Sequence, residues 1–179
     1  CSGTGAGGAL VFLKNTGSIT RTTISGNLSD TPGAISIEAS SITIVDSTLS
    51  GNSATSGSAL ILRAGLADAS LALTNVTISG NSSVGENSAI QSQAFAGRTA
   101  SITLTNSTVS GNTTSNAAGN GAIWQRPSAG THLTVLRNSI VAGNTVAGVD
   151  KDIEGTLDAG SAFNVIGTGG GLSNGVNGN

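Results

Sequence analysis

The sequence predicts an all-β fold: a right-handed, three-sided parallel β-helix, or solenoid, of about five full coils plus a partial sixth. The main observation is a Ser/Thr-rich phrase ending in Gly-Asn, which occurs five times at intervals of 25, 29, 31 and 32 residues. Intervals of this length are typical of repeats that stack and bury their apolar faces against one another. The five copies end at Asn27, Asn52, Asn81, Asn112 and Asn144.

Each repeat contains three short apolar runs that predict its strands. The run before the Gly-Asn phrase alternates apolar and polar residues, as in Ile42-Thr43-Ile44, and a further run begins with a small residue and Ala, as in Gly33-Ala34-Ile35. Alternation with a period of two is typical of strands with one buried face. Three strands per repeat without a helical pattern predict parallel pairing between coils. One buried aliphatic column is expected from Ile24, Leu49, Ile78, Val109 and Val141.

The Asn that closes each phrase is expected to stack on its equivalents in the neighbouring coils. Such ladders satisfy backbone groups that a buried turn would otherwise leave unpaired, and the preceding Gly permits a left-handed backbone at the corner. Five N-x-[ST] sequons fall in the corners, and we interpret most of them as turn or ladder residues rather than glycan acceptors. The sequons begin at Asn27, Asn75, Asn81, Asn106 and Asn112.

The chain is expected to form a single β-helix domain over residues 1–179. Residues 1–7 are expected to form an N-terminal edge segment, 8–168 the coils and 169–179 a flexible Gly/Asn-rich tail. No amphipathic capping helix is apparent, so exposed strand edges predict a homo-oligomer formed by end-to-end stacking, in the limit a filament. Cys1 lies near one such junction and is a candidate for lipidation or an intermolecular disulfide.

The composition argues against several classes of function. Charged residues make up 9% of the chain and the formal net charge is −2, so no nucleic-acid partner is expected. No apolar run reaches the length of about 18 residues that predicts a transmembrane segment. No cofactor is expected, because the Gly-rich segment 167–171 lacks the lysine and the helix of a phosphate-binding loop.

No catalytic residue is evident from the sequence. A glycosidase needs two carboxyl groups about 5 to 9.5 Å apart, whereas most acids here lie one per coil at different corners. Asp150, Asp152 and Glu154 do cluster, either as solvated charges at the open end of the stack or as a weak calcium site. His132 shows no partners for nucleophilic catalysis and is expected to lie exposed at a turn edge.

Two columns of residues on the first strand of each coil are expected to point outward. The first column is Val11, Ser36, Ile61, Gln91 and Trp124, and the second is Leu13, Glu38, Arg63, Gln93 and Arg126. An exposed Trp beside Arg and Gln is a candidate sugar platform, because an aromatic ring stacks on a sugar while polar neighbours bind its hydroxyls. The candidate platform consists of Trp124, Arg126, Arg63, Gln93 and Glu38. The alternative is a Trp that covers a corner or is buried in a subunit contact.

The Gly-Asn phrase also predicts an outward row of Thr-x-Ser pairs, which ends at Ile140 and Ala142. This row is similar to the flat hydroxyl arrays of β-helical ice-binding proteins. High β-propensity and solubility explain Thr and Ser equally well, so both interpretations stay open.

The phrase Ser-Thr-apolar-Ser-Gly-Asn, placed after an alternating run that ends in Asn or Asp, resembles the right-handed parallel β-helix repeats of bacterial surface and secreted proteins. These include polymorphic outer-membrane-protein-like and adhesin-like chains. The resemblance covers residues 8 to about 168 and implies an extracellular or cell-surface location. We therefore expect a non-enzymatic structural or adhesive solenoid. One alternative is a β-helix that binds or degrades polysaccharide and therefore has a glycan ligand. The other is an ice-binding protein.

Overall fold

The computed structural model describes residues 2–3, 8–30, 33–55, 59–86, 89–173 and 175–179, so Cys1 lies outside the described residues. The strands of each coil pair in parallel with the equivalent strands of neighbouring coils. The predicted parallel β-helix is therefore confirmed. The structure adds a short fourth strand after each Gly-Asn corner, so the strands of the described residues form four sheets rather than three.

Sheets 1 and 2 contain the longer strands and are defined here by their members. Sheet 1 consists of Leu10–Leu13, Ile35–Glu38, Leu60–Ala64, Ile90–Ala94, Ile123–Gln125, Ile153–Thr156 and Gly169–Gly170. Sheet 2 consists of Thr16–Thr20, Ser41–Val45, Ala69–Thr74, Thr99–Thr105 and Thr131–Arg137.

Sheets 3 and 4 complete each coil with strands of two or three residues. Sheet 3 consists of Thr23–Ser25, Thr48–Ser50, Thr77–Ser79, Thr108–Ser110, Ile140–Ala142 and Val165–Ile166. Sheet 4 consists of Ser2–Gly3, Leu28–Ser29, Ser53–Ala54, Ser82–Ser83, Thr113–Thr114, Thr145–Val146 and Val149–Asp150. The last pair of strands in sheet 4 is antiparallel, and a 3₁₀ helix spans Val176–Gly178.

The core is built from aliphatic columns that run through the stack. The column predicted in sheet 3 is confirmed, because its five residues lie in register: Ile24, Leu49, Ile78, Val109 and Val141. The first is 7% exposed and the other four are fully buried. Burial of each such side chain stabilises the fold by about 1.5–3 kcal/mol, so the apolar interior of the coils holds the sheets together.

Left-handed residues turn the chain at two corners of each coil. The corner between sheets 3 and 4 uses the Gly of the repeated phrase, and the five glycines have φ between 61° and 70°. The corner between sheets 2 and 3 uses residues other than Gly with φ between 49° and 54°, namely Arg21, Asp46, Asn75, Asn106 and Asn138. Asn tolerates this conformation better than most residues, which explains its recurrence there.

The segment 169–179, for which the sequence predicts a flexible tail, contains residues that pair with and pack against the coils. Gly169–Gly170 pairs in parallel with Ile153–Thr156, and Leu172 packs against the core. The side chain of Asn164 donates a 2.7 Å hydrogen bond to Oδ1 of Asn179. Polar pairing and apolar packing therefore continue past the last Gly-Asn phrase in these described residues, while the flexibility of the segment stays a prediction.

Candidate functional site

The Asn residues of the repeated phrase form the predicted ladder. Each side-chain nitrogen donates to the side-chain oxygen of the next Asn along the stack, at 2.8 or 2.9 Å, from Asn27 to Asn144. The side chains also donate to backbone carbonyls of the preceding coil, as Asn81 does to Leu49 at 3.0 Å. The ladder is therefore a structural element that fixes the corner, because its side chains are paired and, from Asn52 to Asn144, fully buried.

Asp152 ends this ladder instead of lying in a calcium site. Its carboxylate is 1% exposed, and Oδ2 accepts hydrogen bonds from the backbone nitrogen and hydroxyl of Thr168 at 3.0 and 3.2 Å. Asp150 lies on an exposed strand, and Glu154 forms an ion pair of 2.8 Å with Lys151. Within the described residues, no group of three or more His, Cys, Asp or Glu side chains could hold a metal ion.

The first outward column of sheet 1 is buried from Ser36 to Trp124, contrary to the expectation of an exposed platform, and only Val11 at its start is exposed. Its residues lie in the predicted register, but Trp124 is only 7% exposed, and Ile61 and Gln91 are fully buried. The Arg126 guanidinium lies 5.7 Å from the centre of the Trp124 ring, and Glu86 pairs with Arg126 at 3.3 Å. Trp124 therefore cannot stack on a sugar, because its ring is covered by the protein itself.

The second outward column of sheet 1 lines an open groove of about 650 Å³. Glu38, Arg63 and Gln93 lie in register on successive strands, as the sequence predicts. Two residues that the sequence did not indicate, Leu66 and Phe95, supply its apolar part and are about half exposed. The groove residues are Glu38, Arg63, Gly65, Leu66, Gln93, Phe95 and Arg126. Four of the five residues of the predicted platform thus line this groove, without Trp124, and the aromatic ring exposed there is that of Phe95.

Glu38 holds the wall of this groove. Its Oε1 accepts hydrogen bonds from the backbone nitrogens of Gly65 at 3.1 Å and Leu66 at 3.3 Å. A Cβ at position 65 would lie 2.8 Å from the same oxygen, so a larger residue there would displace the Glu38 carboxylate from this position. The carboxylate of Glu38 therefore faces the segment after the strand rather than its neighbour Arg63.

The remaining polar groups of the groove differ in their partners. Arg126 is paired with Glu86. The side chain of Arg63 has no hydrogen-bond or ion-pair partner among the described residues, and its Nε is buried. The half-buried amide of Gln93 likewise has no partner within this part of the chain. The groove therefore offers a guanidinium and an amide that are both available to a ligand.

His132 lies between two serines and not at an exposed turn edge. Its Nδ1 is 2.9 Å from the Ser92 hydroxyl, and its Nε2 is 3.1 Å from the Ser128 hydroxyl. Burial lowers the pKa of His132 below its ordinary value of 6.5, while a hydrogen bond to the backbone of Arg126 acts in the opposite direction. Sequence reasoning missed this pair of partners because Ser92 lies 40 residues away, one coil below.

The outward Thr and Ser residues of sheet 3 lie in register, as predicted. The four paired rows are Thr23 and Ser25, Thr48 and Ser50, Thr77 and Ser79, and Thr108 and Ser110. The next row contains Ile140 and Ala142. Among the sequons, Asn81 and Asn112 are fully buried in the ladder, whereas Asn75 and Asn106 are exposed at the corner before sheet 3.

Comparison of the chain with protein-family models, with curated proteins and with solved structures finds no match. In the part of the chain that the structure describes, no helix has the length and apolar character needed to cross a membrane. Among the features described above, the groove on sheet 1 combines an exposed aromatic ring with polar side chains that are unpaired within the described part of the chain.

Proposed function

We propose that this protein is a non-enzymatic, extracellular adhesive solenoid that holds a glycan in the groove of sheet 1. The groove carries the proposal, because it combines the exposed ring of Phe95 with the guanidinium of Arg63 and the amide of Gln93. An apolar lining with a few convergent polar groups is typical of ligand sites. An aromatic ring can stack on the apolar face of a sugar while the polar groups bind its hydroxyls.

The regular stack of coils supports a polymeric ligand. Glu38, Arg63 and Gln93 occupy equivalent positions of successive strands, so their backbones are separated by steps of about 4.8 Å. A row of side chains held at a fixed spacing loses little freedom on binding. Such a row suits an extended polysaccharide that lies along the solenoid axis.

The absence of turnover is also part of the proposal. Hydrolysis of a glycosidic bond requires a pair of carboxyl groups, and Glu38 is the one acidic side chain among the described residues that line the groove. Its Oε1 is held by two backbone nitrogens. This arrangement supports a structural role for Glu38 in a site that binds without cleaving.

The extracellular or cell-surface location rests on the resemblance of the repeat and on the kind of surface the coils present. Outward positions of sheet 3 carry Thr and Ser in register rather than charges. A neutral, hydroxyl-rich surface of this kind suits a secreted adhesive or structural protein. Expression of the epitope-tagged protein in its native host, followed by surface labelling of intact cells, tests this part of the proposal.

Affinity electrophoresis in native gels that contain neutral or acidic polysaccharides tests glycan binding. We expect at least one polysaccharide to retard the wild-type protein and Phe95→Ala to abolish the retardation. Phe163→Ala is the matched control, because Phe163 is exposed in the last coil and lies outside the groove. Absence of retardation in every gel, or retardation that persists in Phe95→Ala, would contradict glycan binding in this groove.

A second candidate function is ice binding, which the registered Thr-x-Ser rows of sheet 3 favour. Flat rows of hydroxyl and methyl groups at a constant spacing are suited to an ordered water layer. Under this hypothesis the protein shows thermal hysteresis, and Thr77→Leu abolishes it. Thr43→Leu, at an exposed position of sheet 2, is the control. Freezing without hysteresis at millimolar protein would exclude the hypothesis.

A further inference from the structure

One arginine of the groove has no counter-ion among the described residues. The ion pairs of this part of the chain join Arg126 to Glu86 and Lys151 to Glu154. Arg63 takes part in neither, and its Nε is buried without a hydrogen-bond partner. A ligand in the groove cannot reach the buried Nε, but the two terminal nitrogens of this guanidinium are not among the buried unpaired atoms of the described residues, so a ligand can pair with them.

The nearest carboxylate does not serve as that partner. Glu38 is the register neighbour of Arg63 on the adjacent strand, yet the two side chains form no ion pair. Oε1 of Glu38 instead accepts the backbone nitrogens of Gly65 and Leu66. Because the carboxylate of Glu38 is bound to these backbone nitrogens, it forms no ion pair with Arg63, and the positive charge of Arg63 is available to a ligand in the groove.

The neighbours of Arg63 indicate what kind of anion would fit. Gln93 lies one strand further along the stack and presents an amide that can both donate to and accept from hydroxyls. Phe95 lines the same groove with about half of its surface exposed. A planar guanidinium pairs with a carboxylate through two parallel hydrogen bonds. The three side chains together therefore suit a ring that carries hydroxyls and a carboxylate.

We propose that the groove binds a carboxylate-bearing sugar residue of an acidic polysaccharide, with the carboxylate paired to the guanidinium of Arg63. The inference rests on the proposed function, since it specifies the class of glycan that the same groove holds. Gln93 contacts a hydroxyl of the same or the next residue, and Phe95 packs against the sugar ring. Arg126 stays paired with Glu86 and shapes the end of the groove.

Titration calorimetry with polygalacturonate and with the same polymer after complete methyl esterification tests this proposal. The two polymers share a backbone and differ in charge. We expect wild-type protein to bind the acidic form about tenfold or more tightly than the ester, since a hydrogen-bonded charge pair supplies that difference. Arg63→Gln should abolish the preference. Arg137→Gln removes the same charge from an exposed position of sheet 2 and should retain it.

Three outcomes would overturn the inference. Equal binding of both polymers, lost in Phe95→Ala, would leave glycan binding in place but remove the role of the carboxylate. Equal loss of preference in Arg63→Gln and Arg137→Gln would indicate general attraction between opposite charges. If the protein binds neither polymer in calorimetry but is retarded by a neutral polysaccharide in the native gels, an acidic ligand is excluded. Retardation by no polysaccharide would instead remove the proposed function itself. Unfolding curves of both arginine variants verify that each is folded.

Discussion

The side-chain nitrogen of Asn144 donates a 2.7 Å hydrogen bond to Oδ1 of Asp152, only eight residues further along the chain. The same oxygen accepts the backbone nitrogen of Asn144 at 2.9 Å. The Asn ladder therefore ends on a carboxylate. Each amide of the ladder donates a hydrogen bond to the next residue along the stack, and the carboxylate ends the row because it accepts hydrogen bonds and donates none. Asp152 is buried through this role and is a structural residue of the last coil.

Replacement of Asp152 by Ala is expected to destabilise the protein by about 3 kcal/mol, because the buried donors of Asn144 would lose their acceptor, as would the backbone nitrogen of Thr168. Urea denaturation followed by circular dichroism measures the change. Asp150→Ala, at an exposed position, should stay within about 0.5 kcal/mol of the wild type. Equal effects of the two substitutions would mean that the ladder does not need its terminal acceptor.

Leu49→Ala is expected to lower the free energy of unfolding by about 2–5 kcal/mol, because it opens a cavity in a fully buried column. The same denaturation experiment measures the loss. Ser25→Ala is the control, since Ser25 is exposed on the same sheet. A loss below about 1 kcal/mol would show that the coils collapse around the missing side chain.

Much of the fold follows from the sequence because the repeated phrase specifies both a strand and its corner. The Gly-Asn pair predicted the ladder, and alternation predicted the buried residues of sheets 2 and 3 except in the last strand of sheet 2, where Thr134 is buried and Leu133 is 41% exposed. The fourth sheet was missed because strands such as Ser53–Ala54 contain two residues, too few for any periodic signal. The role of Asp152 as the last member of the ladder was missed, because Asp152 follows Asn144 by eight residues and not by the length of one repeat.

The candidate site was predicted only in part. Register along sheet 1 placed Glu38, Arg63 and Gln93 in one column, since equivalent positions of stacked strands must align. Trp124 was wrongly expected to be exposed. Arg126 covers part of its ring and is held there by Glu86, which lies 40 residues away in the sequence, so no sequence pattern indicated this contact. Phe95 follows its strand in a segment of variable length, where the repeat gives no information about side-chain position.

The stability of the protein is expected to fall in mild acid through His132. Burial lowers the pKa of this side chain in the folded state, whereas the unfolded chain keeps a value near 6.5. The folded state therefore favours the neutral ring. The stabilisation is fully present above about pH 6.5 and is lost as the pH falls through the folded-state pKa. Urea unfolding of wild type and His132→Gln at pH 7.5 and about pH 5 checks this.

The His132→Gln variant should show a smaller loss between the two pH values than the wild type. The remaining loss would come from other groups that titrate in this range. If both proteins lose the same free energy of unfolding between the two pH values, burial does not lower the pKa of His132 in the folded state. The contacts with Ser92 and Ser128 would then not shield the imidazole ring from water.

The wild type and Glu38→Gln are both expected to leave polysaccharides uncleaved, and the substitution is expected to change stability by less than about 1 kcal/mol. The amide oxygen of Gln can still accept the backbone nitrogens of Gly65 and Leu66. Assays for reducing ends and for unsaturated products, over prolonged incubation with each polysaccharide, measure turnover. Products that form with wild type and disappear with Glu38→Gln would contradict a non-enzymatic function.

End-to-end association remains a prediction, and the two ends of the stack contribute to it unequally. Val11 and Leu13 are more than half exposed on the first strand of sheet 1. At the other end, Ile166 and Leu172 pack against the core. We therefore expect the isolated chain to form short oligomers, which sedimentation velocity would detect. A strictly monomeric species at high concentration would exclude association, and long rods in electron micrographs would show that both ends take part.

A crystal structure of the protein with an acidic oligosaccharide, at a concentration that saturates binding in solution, tests the central claim most directly. The account predicts sugar density in the groove of sheet 1, with a ring against Phe95 and a carboxylate beside the guanidinium of Arg63. Density on another face of the solenoid, or an empty and unobstructed groove under these conditions, would contradict it.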